Sequence, residues 1–404
     1  MNPSAAEPYM PAELTGSLED LAFDLAMEAG ELAGQLHPVV RLSVADLTRS
    51  VNCFYSNLIA GHDSDPRDID RAVVADYSTD PHRRDLQLQA RAHIEVQRMI
   101  DASAGGFPQR PATREFIEWT HREFCERLPD ALLSVEIPDT GRRLRVVAGQ
   151  LRTHYVALGR SVPPPACEVP AFLSRFEQAY DSTRLSKTRQ VIAAAAAHHR
   201  LLWIHPFLDA NGRVARLMSH AMLLDVGVDT SLWSVSRGLA RSVSEYERML
   251  MAADEPRRRD PDGRGALSQS ALIEFCQFFL EACIDQVRFM RELLEPSELG
   301  RRIELHVRDE EHAGGLPKHS YPILREVLLA GELERGRIAG LIDTSERTAR
   351  RTVAALVDGG LLLSESHKAP LRIGFPIDVV ERWFPRLYSP LEKDAPRRES
   401  VTAG

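Results

Sequence analysis

The stretch Ile204-His205-Pro206-Phe207-Leu208-Asp209-Ala210-Asn211-Gly212-Arg213-Val214-Ala215-Arg216 lies between two apolar helical runs. A chain that contains it must bring those two helices together around a short reactive turn. The stretch holds a histidine, an acid four residues on, then Asn-Gly-Arg and a second arginine three residues later. A glycine-containing turn that opens a helix presents backbone N–H groups suited to a phosphate. The arginines add charge at the same end, and the acid beside them can hold a magnesium ion. A histidine just upstream is placed to take a proton from an incoming nucleophile.

The rest of the pattern is mostly helical. Residues 1–16 are rich in Pro, Ala and Glu and read as loose. Apolar residues recur at helical spacing from Leu18 to Leu36, with a break at Pro38, and again from about Val44 to Ile59, stopping at Gly61. A turn with Pro66 leads to a helix capped by Asp68, then helices span Asp85–Ala102, ended by Gly105-Gly106, and Thr113–Leu128. Arg142–Arg160 mixes β-branched and alternating residues around Gly149 and predicts a short hairpin. After Val162-Pro163-Pro164-Pro165, helices resume over Val169–Tyr180, Thr188–Trp203, Gly212–Val226 and Ser268–Leu294. Glu255–Gly265 is a charged loop between the last two.

At 404 residues the chain has room for two or three domains, and 44% apolar with 27% charged residues is an ordinary globular balance. A net charge of −8 argues against a surface coated with nucleic acid, though not against one local basic site. The lack of a long apolar run or a basic-then-apolar leader, and five scattered cysteines, predict a cytoplasmic protein with no membrane partner. Cys276 and Cys283 lie one heptad apart on an apolar helix, as core residues would. His198 and His199 fall on different faces of their helix and receive no role.

His205-Pro206-Phe207-Leu208-Asp209-Ala210-Asn211-Gly212-Arg213, with Arg216 following, resembles the Fic family motif HxFx(D/E)(A/G)N(G/K)R at every constrained position. The resemblance extends over roughly residues 45–290. It implies a mainly α fold: a helical Fic core with a short β-hairpin flap. It also implies a protein adenylyltransferase that moves AMP from ATP to a hydroxyl side chain of a target protein, releases diphosphate and requires Mg2+. By matching position, His205 would be the general base and Asp209 the magnesium ligand. Asn211 and the Gly212 backbone would form an anion hole for the α- and β-phosphates. Arg213 would contact the same phosphates and Arg216 the γ-phosphate, while Phe207 would wedge the loop into the core. Glycine at 212, where a phosphoryl-transferring branch tends to carry lysine, leans toward AMP transfer. The segment at about 146–159 matches the flap, along which an extended piece of target would pair strand to strand.

Tyr55-Ser56-Asn57-Leu58-Ile59-Ala60-Gly61 resembles the inhibitory helix of Fic proteins that restrain themselves, (S/T)xxxE(G/N). Ser56 and Gly61 match, but the glutamate position is Ala60. In the family that glutamate pairs with the second motif arginine, so Arg216 is expected to be free for ATP and the brake absent.

Beyond Pro296, short helices at Tyr321–Leu329, Glu334–Ile342 and Ser345–Asp358, a Gly359-Gly360 stop and strands near Leu361–Leu363 and Leu371–Ile373 predict a winged helix-turn-helix. Arg347, Arg350 and Arg351 share one face of its third helix, with Thr348 and Thr352 nearby and Val353, Leu356 and Val357 inward. That face could meet DNA or a protein partner, and such modules also form homodimers. The expected domains are a helical region 1–110 carrying the inhibitory-type helix (about 44–61), a catalytic core 111–295, a winged helix 296–390 and a disordered tail 391–404. Two alternatives stay open: a Fic enzyme transferring a different phosphate-containing group, and a winged-helix transcriptional regulator that only senses nucleotide.

Overall fold

The computed structural model describes residues 2–12, 16–103, 110–136, 141, 143–156, 163–257, 262 and 265–389. The expected Gly105-Gly106 stop and the tail 391–404 lie outside the described residues. The molecule is mainly helical, with two small antiparallel hairpins.

At the centre stand α7 (Lys187–Ile204) and α8 (Asn211–Val226), joined by the motif loop and packed along each other. Ala193–Ala197 are all buried on α7, and side chains that small let the facing backbone come close. Around the pair lie α4 (Pro81–Ala102), α5 (Arg114–Glu126), α6 (Val169–Ala179) and the long α11 (Gln269–Leu293). Helix α1 (Gly16–Gly34) buries Leu18, Ala22, Leu25, Ala29 and Leu32, one stripe at three- and four-residue spacing, against α11 and α7. Helix α2 (Pro38–Ile59) crosses α4 and α9 (Val235–Arg241).

Several sequence expectations need correcting. Pro38 does not merely break the chain: it is the first residue of α2, where its missing N–H costs nothing, so the helix begins six residues before Val44. Helix α3 (Pro66–Val73) is capped by Asp65, whose carboxylate accepts from Arg67 N at 2.9 Å, and not by Asp68. The N-terminal residues are not loose. Ala6 and Tyr9 are buried, Tyr180 Oη donates to Tyr9 O at 2.5 Å, and the buried Arg200 donates to Pro8 O at 3.0 Å. The hairpin forms earlier than expected, β1 (Ser134–Glu136) pairing with β2 (Arg143–Arg145). Residues 146–156 that follow contain no strand, and 157–159 lie outside the described residues. Helices α9, α10 (Val243–Asp254) and α12 (Pro296–Ala313) had not been anticipated.

The C-terminal part contains α13 (Ser320–Ala330), a short 3-10 turn (Arg335–Arg337) running into α14 (Ile338–Leu341), and α15 (Glu346–Asp358). The expected helix over Glu334–Ile342 is thus mostly a tight turn. Strands β3 (Leu362–Leu363) and β4 (Arg372–Ile373) pair antiparallel, and α16 (Ile377–Trp383) closes the unit. Ile323, Leu324, Val353, Leu356, Leu362 and Ile373 form its interior. Arg347, Arg350 and Arg351 are exposed, but Thr352 is fully buried and so does not belong to their face.

This part is bonded to the helical body at several points. Ser43 Oγ of α2 donates to Ile373 O at 2.6 Å, and Tyr55 Oη of the same helix donates to Leu387 O at 2.8 Å. Arg237 of α9 donates to Arg386 O at 2.9 Å and Leu387 O at 3.2 Å, and Arg302 of α12 to Trp383 O at 2.8 Å.

Candidate functional site

Helix α7 stops at His205, which takes a left-handed conformation (φ 50°, ψ 63°) while its N–H still reaches Leu201 O at 3.0 Å. Pro206 follows and cannot extend the helix. Phe207 then turns fully inward and stacks on His121 of α5, the rings 3.9 Å apart and 4° from parallel. Asn211 closes the loop from its far end. Phe207 N–H donates to Asn211 Oδ1 at 3.0 Å, and Asn211 Nδ2 donates to Phe207 O at 2.9 Å.

Ala210, left-handed at φ 61°, starts α8 without a side-chain cap. The first-turn N–H groups of α8 lack intrahelical acceptors by construction and make an electropositive mouth. Of the anion hole expected from Asn211 and Gly212, the Asn211 side chain is committed to Phe207. Its backbone N–H and that of Gly212 are what remain. Asp209 is exposed beside this mouth, its Oδ1 accepting from Ala210 N at 2.6 Å. Among the described residues there is no group of three or more His, Cys, Asp and Glu that could cage a metal ion.

The two arginines run back into the bundle, only 6% (Arg213) and 5% (Arg216) exposed. Arg213 donates to Asn57 Oδ1 at 2.8 Å and Gln89 Oε1 at 2.9 Å, with its guanidinium 5.2 Å above the Phe124 ring. Arg216 donates through Nε to Ser56 Oγ at 2.8 Å and through Nη2 to Ser56 O at 3.2 Å. Arg216 is therefore not without a partner: with alanine at 60, the serine one turn earlier takes the guanidinium. Ser56 O also accepts the Ala60 N–H at 3.3 Å, so residue 60 sits one carbonyl away from Arg216. Gly61 has φ +80°, a conformation that favours glycine. Neither arginine is bonded to a carboxylate, and burial lowers both pKa values, that of Arg216 to about 10 against the opposing pull of Tyr246. The result is a concentrated positive potential behind the mouth.

Gly212 has its own steric reason. A Cβ there would sit 3.2 Å from Arg216 Nη1, so a side chain would oblige the guanidinium to give by a few tenths of an ångström. His198 and His199 are both buried. His198 joins Ser219 Oγ at 2.9 Å to the Tyr246 hydroxyl at 2.7 Å and thereby supports the tyrosine beside Arg216.

The pKa of His205 is lowered to about 4, first by burial and then by the positive charge of Arg152, while a hydrogen bond to the Leu202 backbone and the charge of Asp209 pull the other way. The imidazole is neutral at pH 7, as a proton acceptor must be.

Sequence reasoning missed two residues of this site, Arg152 and His121. Arg152 is 2% exposed and wraps the end of α7, its Nε 2.7 Å from His205 O. His121 falls four after Ile117 and three before Phe124, on the apolar face of α5, a spacing that could have placed it in the core. Its Nδ1 accepts the Gly149 N–H at 2.9 Å. Gly149 has φ +71°, and a Cβ there would lie 3.0 Å from Arg122 Cβ.

The structure is thus a helical bundle whose central helix pair is joined by a histidine-to-arginine loop, with the uncapped start of α8 beside an acid. Residues 111–223 match the Fic/DOC family, and the chain carries a Fic/DOC domain there. An 82-residue stretch, 20% of this chain, is 35% identical to the protein adenylyltransferase Fic of Drosophila erecta and 37% identical to that of Drosophila ananassae. It spans only 17% and 16% of those proteins' lengths. Among solved structures, a Fic family protein from Desulfovibrio desulfuricans G20 covers 90% of this chain and 98% of its own, at a TM-score of 0.53 and 17% identity. A Fic domain containing signaling protein from Bacteroides thetaiotaomicron VPI-5482 covers 67% and 96%, at a TM-score of 0.50 and 19% identity. These two likenesses are of fold. Among the described residues no helix is long and apolar enough to cross a membrane.

Proposed function

We propose that this protein is an adenylyltransferase that transfers AMP from ATP to a hydroxyl side chain of a target protein. The observation that carries the proposal is the convergence of a neutral, partly buried His205, the uncapped start of α8 and two buried arginines in the first two turns of that helix. His205 takes the proton of the target hydroxyl, and the oxygen attacks the α-phosphorus. The bond from that phosphorus to the bridging oxygen breaks, and diphosphate leaves. The backbone N–H groups of Asn211 and Gly212 receive charge on the α- and β-phosphate oxygens. Arg213 and Arg216 hold the phosphate tail, and Arg216 exchanges its Ser56 contacts for the γ-phosphate.

Asp209 is the residue for Mg2+. One exposed carboxylate without a cage fits an ion that arrives largely on phosphate and water oxygens. Bound there, magnesium would neutralise charge on the α- and β-phosphates. The segment 146–159 is the proposed docking edge for the target. The C-terminal unit, read as a winged helix over 296–390, offers the exposed Arg347, Arg350 and Arg351 to DNA or to an acidic protein surface.

ATP labelled separately at the α- and γ-phosphates, incubated with cell lysate, tests the reaction class. Label retained from the α position only is expected. Retention of the γ label would make the protein a phosphoryl transferase, and retention of neither would favour a nucleotide-sensing regulator.

The Ala60 position predicts a brake that can be restored. Ala60→Glu places a carboxylate next to the carbonyl that Arg216 already uses. It should lower α-label incorporation about tenfold, equivalent to ~1.4 kcal/mol of competition with the γ-phosphate. Unchanged labelling would remove the regulatory role from the end of α2.

A further inference from the structure

Among the described residues after β2, Arg152 is a buried cation whose side-chain hydrogen bonds run to backbone carbonyls. Arg152 Nε donates to His205 O at 2.7 Å, Nη2 to Ile204 O at 3.4 Å and Pro164 O at 2.5 Å, and Nη1 to His154 O at 3.2 Å. Its own backbone N–H donates to Pro206 O at 2.8 Å. Three consecutive motif-loop residues, Ile204, His205 and Pro206, are therefore tied to this one residue. Ile204 and His205 end α7, where carbonyls have no helical N–H to accept from, and a guanidinium is a strong substitute donor.

A second tie lies on the other side of the loop. Gly149 N–H donates to His121 Nδ1 at 2.9 Å, and the His121 ring stacks on Phe207 at 3.9 Å. The segment is thus fixed to the loop just before His205 and just after it. Outside these ties, one on either side, it exposes Val147 and Tyr155, 48% and 58% accessible.

We propose that Arg152 is a positioning residue: it fastens the target-docking segment 146–156 to the loop carrying His205, so that base and target backbone share one register. The proposal rests on the transferase reading given above. The left-handed turn at His205 sets where the imidazole points, and Arg152 holds the carbonyl of that same residue. A guanidinium reaches these carbonyls because its donors lie in a fixed planar fork. A lysine ammonium keeps the charge but is a single point and cannot span them. The hydrogen bonds of Arg152 go to His154, Pro164, Ile204 and His205, and those of Arg213 and Arg216 to α2 and α4, so the proposed grip on ATP rests on other groups.

The test compares Arg152→Lys and Arg152→Met with the unaltered protein in α-labelled AMP transfer, ATP binding, and hydrogen–deuterium exchange of residues 204–212. Both variants are expected to lose about a hundredfold in kcat, as a misplacement of about 1 Å would cause. KM for ATP and the ATP dissociation constant should stay within about twofold in both. Exchange at 204–212 should rise while that of α7 and α8 stays as it was. If lysine restores kcat and exchange to the original values, charge alone suffices and the positioning role is overturned. It is also overturned if ATP affinity falls in step with kcat, which would mark a general loss of structure. Should Arg152→Met fail to fold, the lysine variant alone decides by the same criteria. If the unaltered protein transfers no AMP, the transferase reading fails by itself, and the exchange of residues 204–212 in the lysine variant still accepts or rejects the fastening.

Discussion

Replacing His205 with alanine is expected to lower AMP transfer by a factor of about 10² to 10⁴, the usual contribution of a positioned general base. ATP binding should persist, because in the proposed mechanism the phosphates would be held by α8 and its arginines and not by the imidazole. Residue 205 holds a left-handed conformation, which alanine adopts less readily than asparagine. His205→Asn is therefore the cleaner substitution, since asparagine tolerates that conformation and cannot accept the proton. Both variants should be equally inactive and both should bind ATP. The pH profile carries a second expectation. With the imidazole held near 4, its neutral form persists through mildly acidic conditions. The acid limb of kcat/KM should then fall well below pH 6.5, and a limb at 6.5 would contradict the burial and the Arg152 charge that depress it. Transfer that survives in the asparagine variant would take the base role from His205.

The second large effect concerns stability in acid. His93, His121 and His198 are fully buried and held neutral: burial lowers His121 to about 4, His198 to about 3 and His93 well below its ordinary value. Both ring nitrogens of His93 lack a hydrogen-bond partner, and its neighbours Arg213, Arg216 and His220 all oppose a further positive charge. In the unfolded chain each histidine titrates near 6.5. A depressed histidine contributes stability that is fully present above that value and is lost as pH falls, because only the unfolded state takes up the proton. The loss amounts to about 1.4 kcal/mol per pH unit for His121 and for His198 between 6.5 and about 4, with His93 acting in the same direction, against a total stability of about 5–15 kcal/mol. Three such groups should bring cooperative unfolding close to pH 5. Urea midpoints at pH 7.5, 6.5 and 5.5 measure this directly: little change over the first interval and a steep drop over the second are expected. A midpoint independent of pH would mean these side chains are solvated.

The parts of the molecule that could be read from sequence share one property: their determinants are contiguous. His205 to Arg216 is a single run, so spacing alone aligned the base, the acid, the glycine and both arginines. Long amphipathic helices such as α1 and α11 were equally plain, since each carries its own periodicity. Arg152 and His121 come from separate segments, and no local pattern announces that a flap arginine will end α7. The Ser56 contact with Arg216 was hidden for another reason. Ala60 showed that the expected carboxylate is missing, but which neutral oxygen takes over depends on how α2 and α8 lie against each other. The β1–β2 hairpin was misplaced because strands of three residues are too short to establish an alternation.

Helix α2 gives this arrangement a further significance. Tyr55 and Ser56 are adjacent, yet one bonds the C-terminal part through Leu387 O and the other bonds Arg216. The two side chains leave the helix on different faces, yet their backbones share one peptide unit. The anchor of the C-terminal part and the contact to Arg216 are thus set by a single short stretch of α2. The change in sequence character near residue 296 coincides with no break in hydrogen bonding among the described residues.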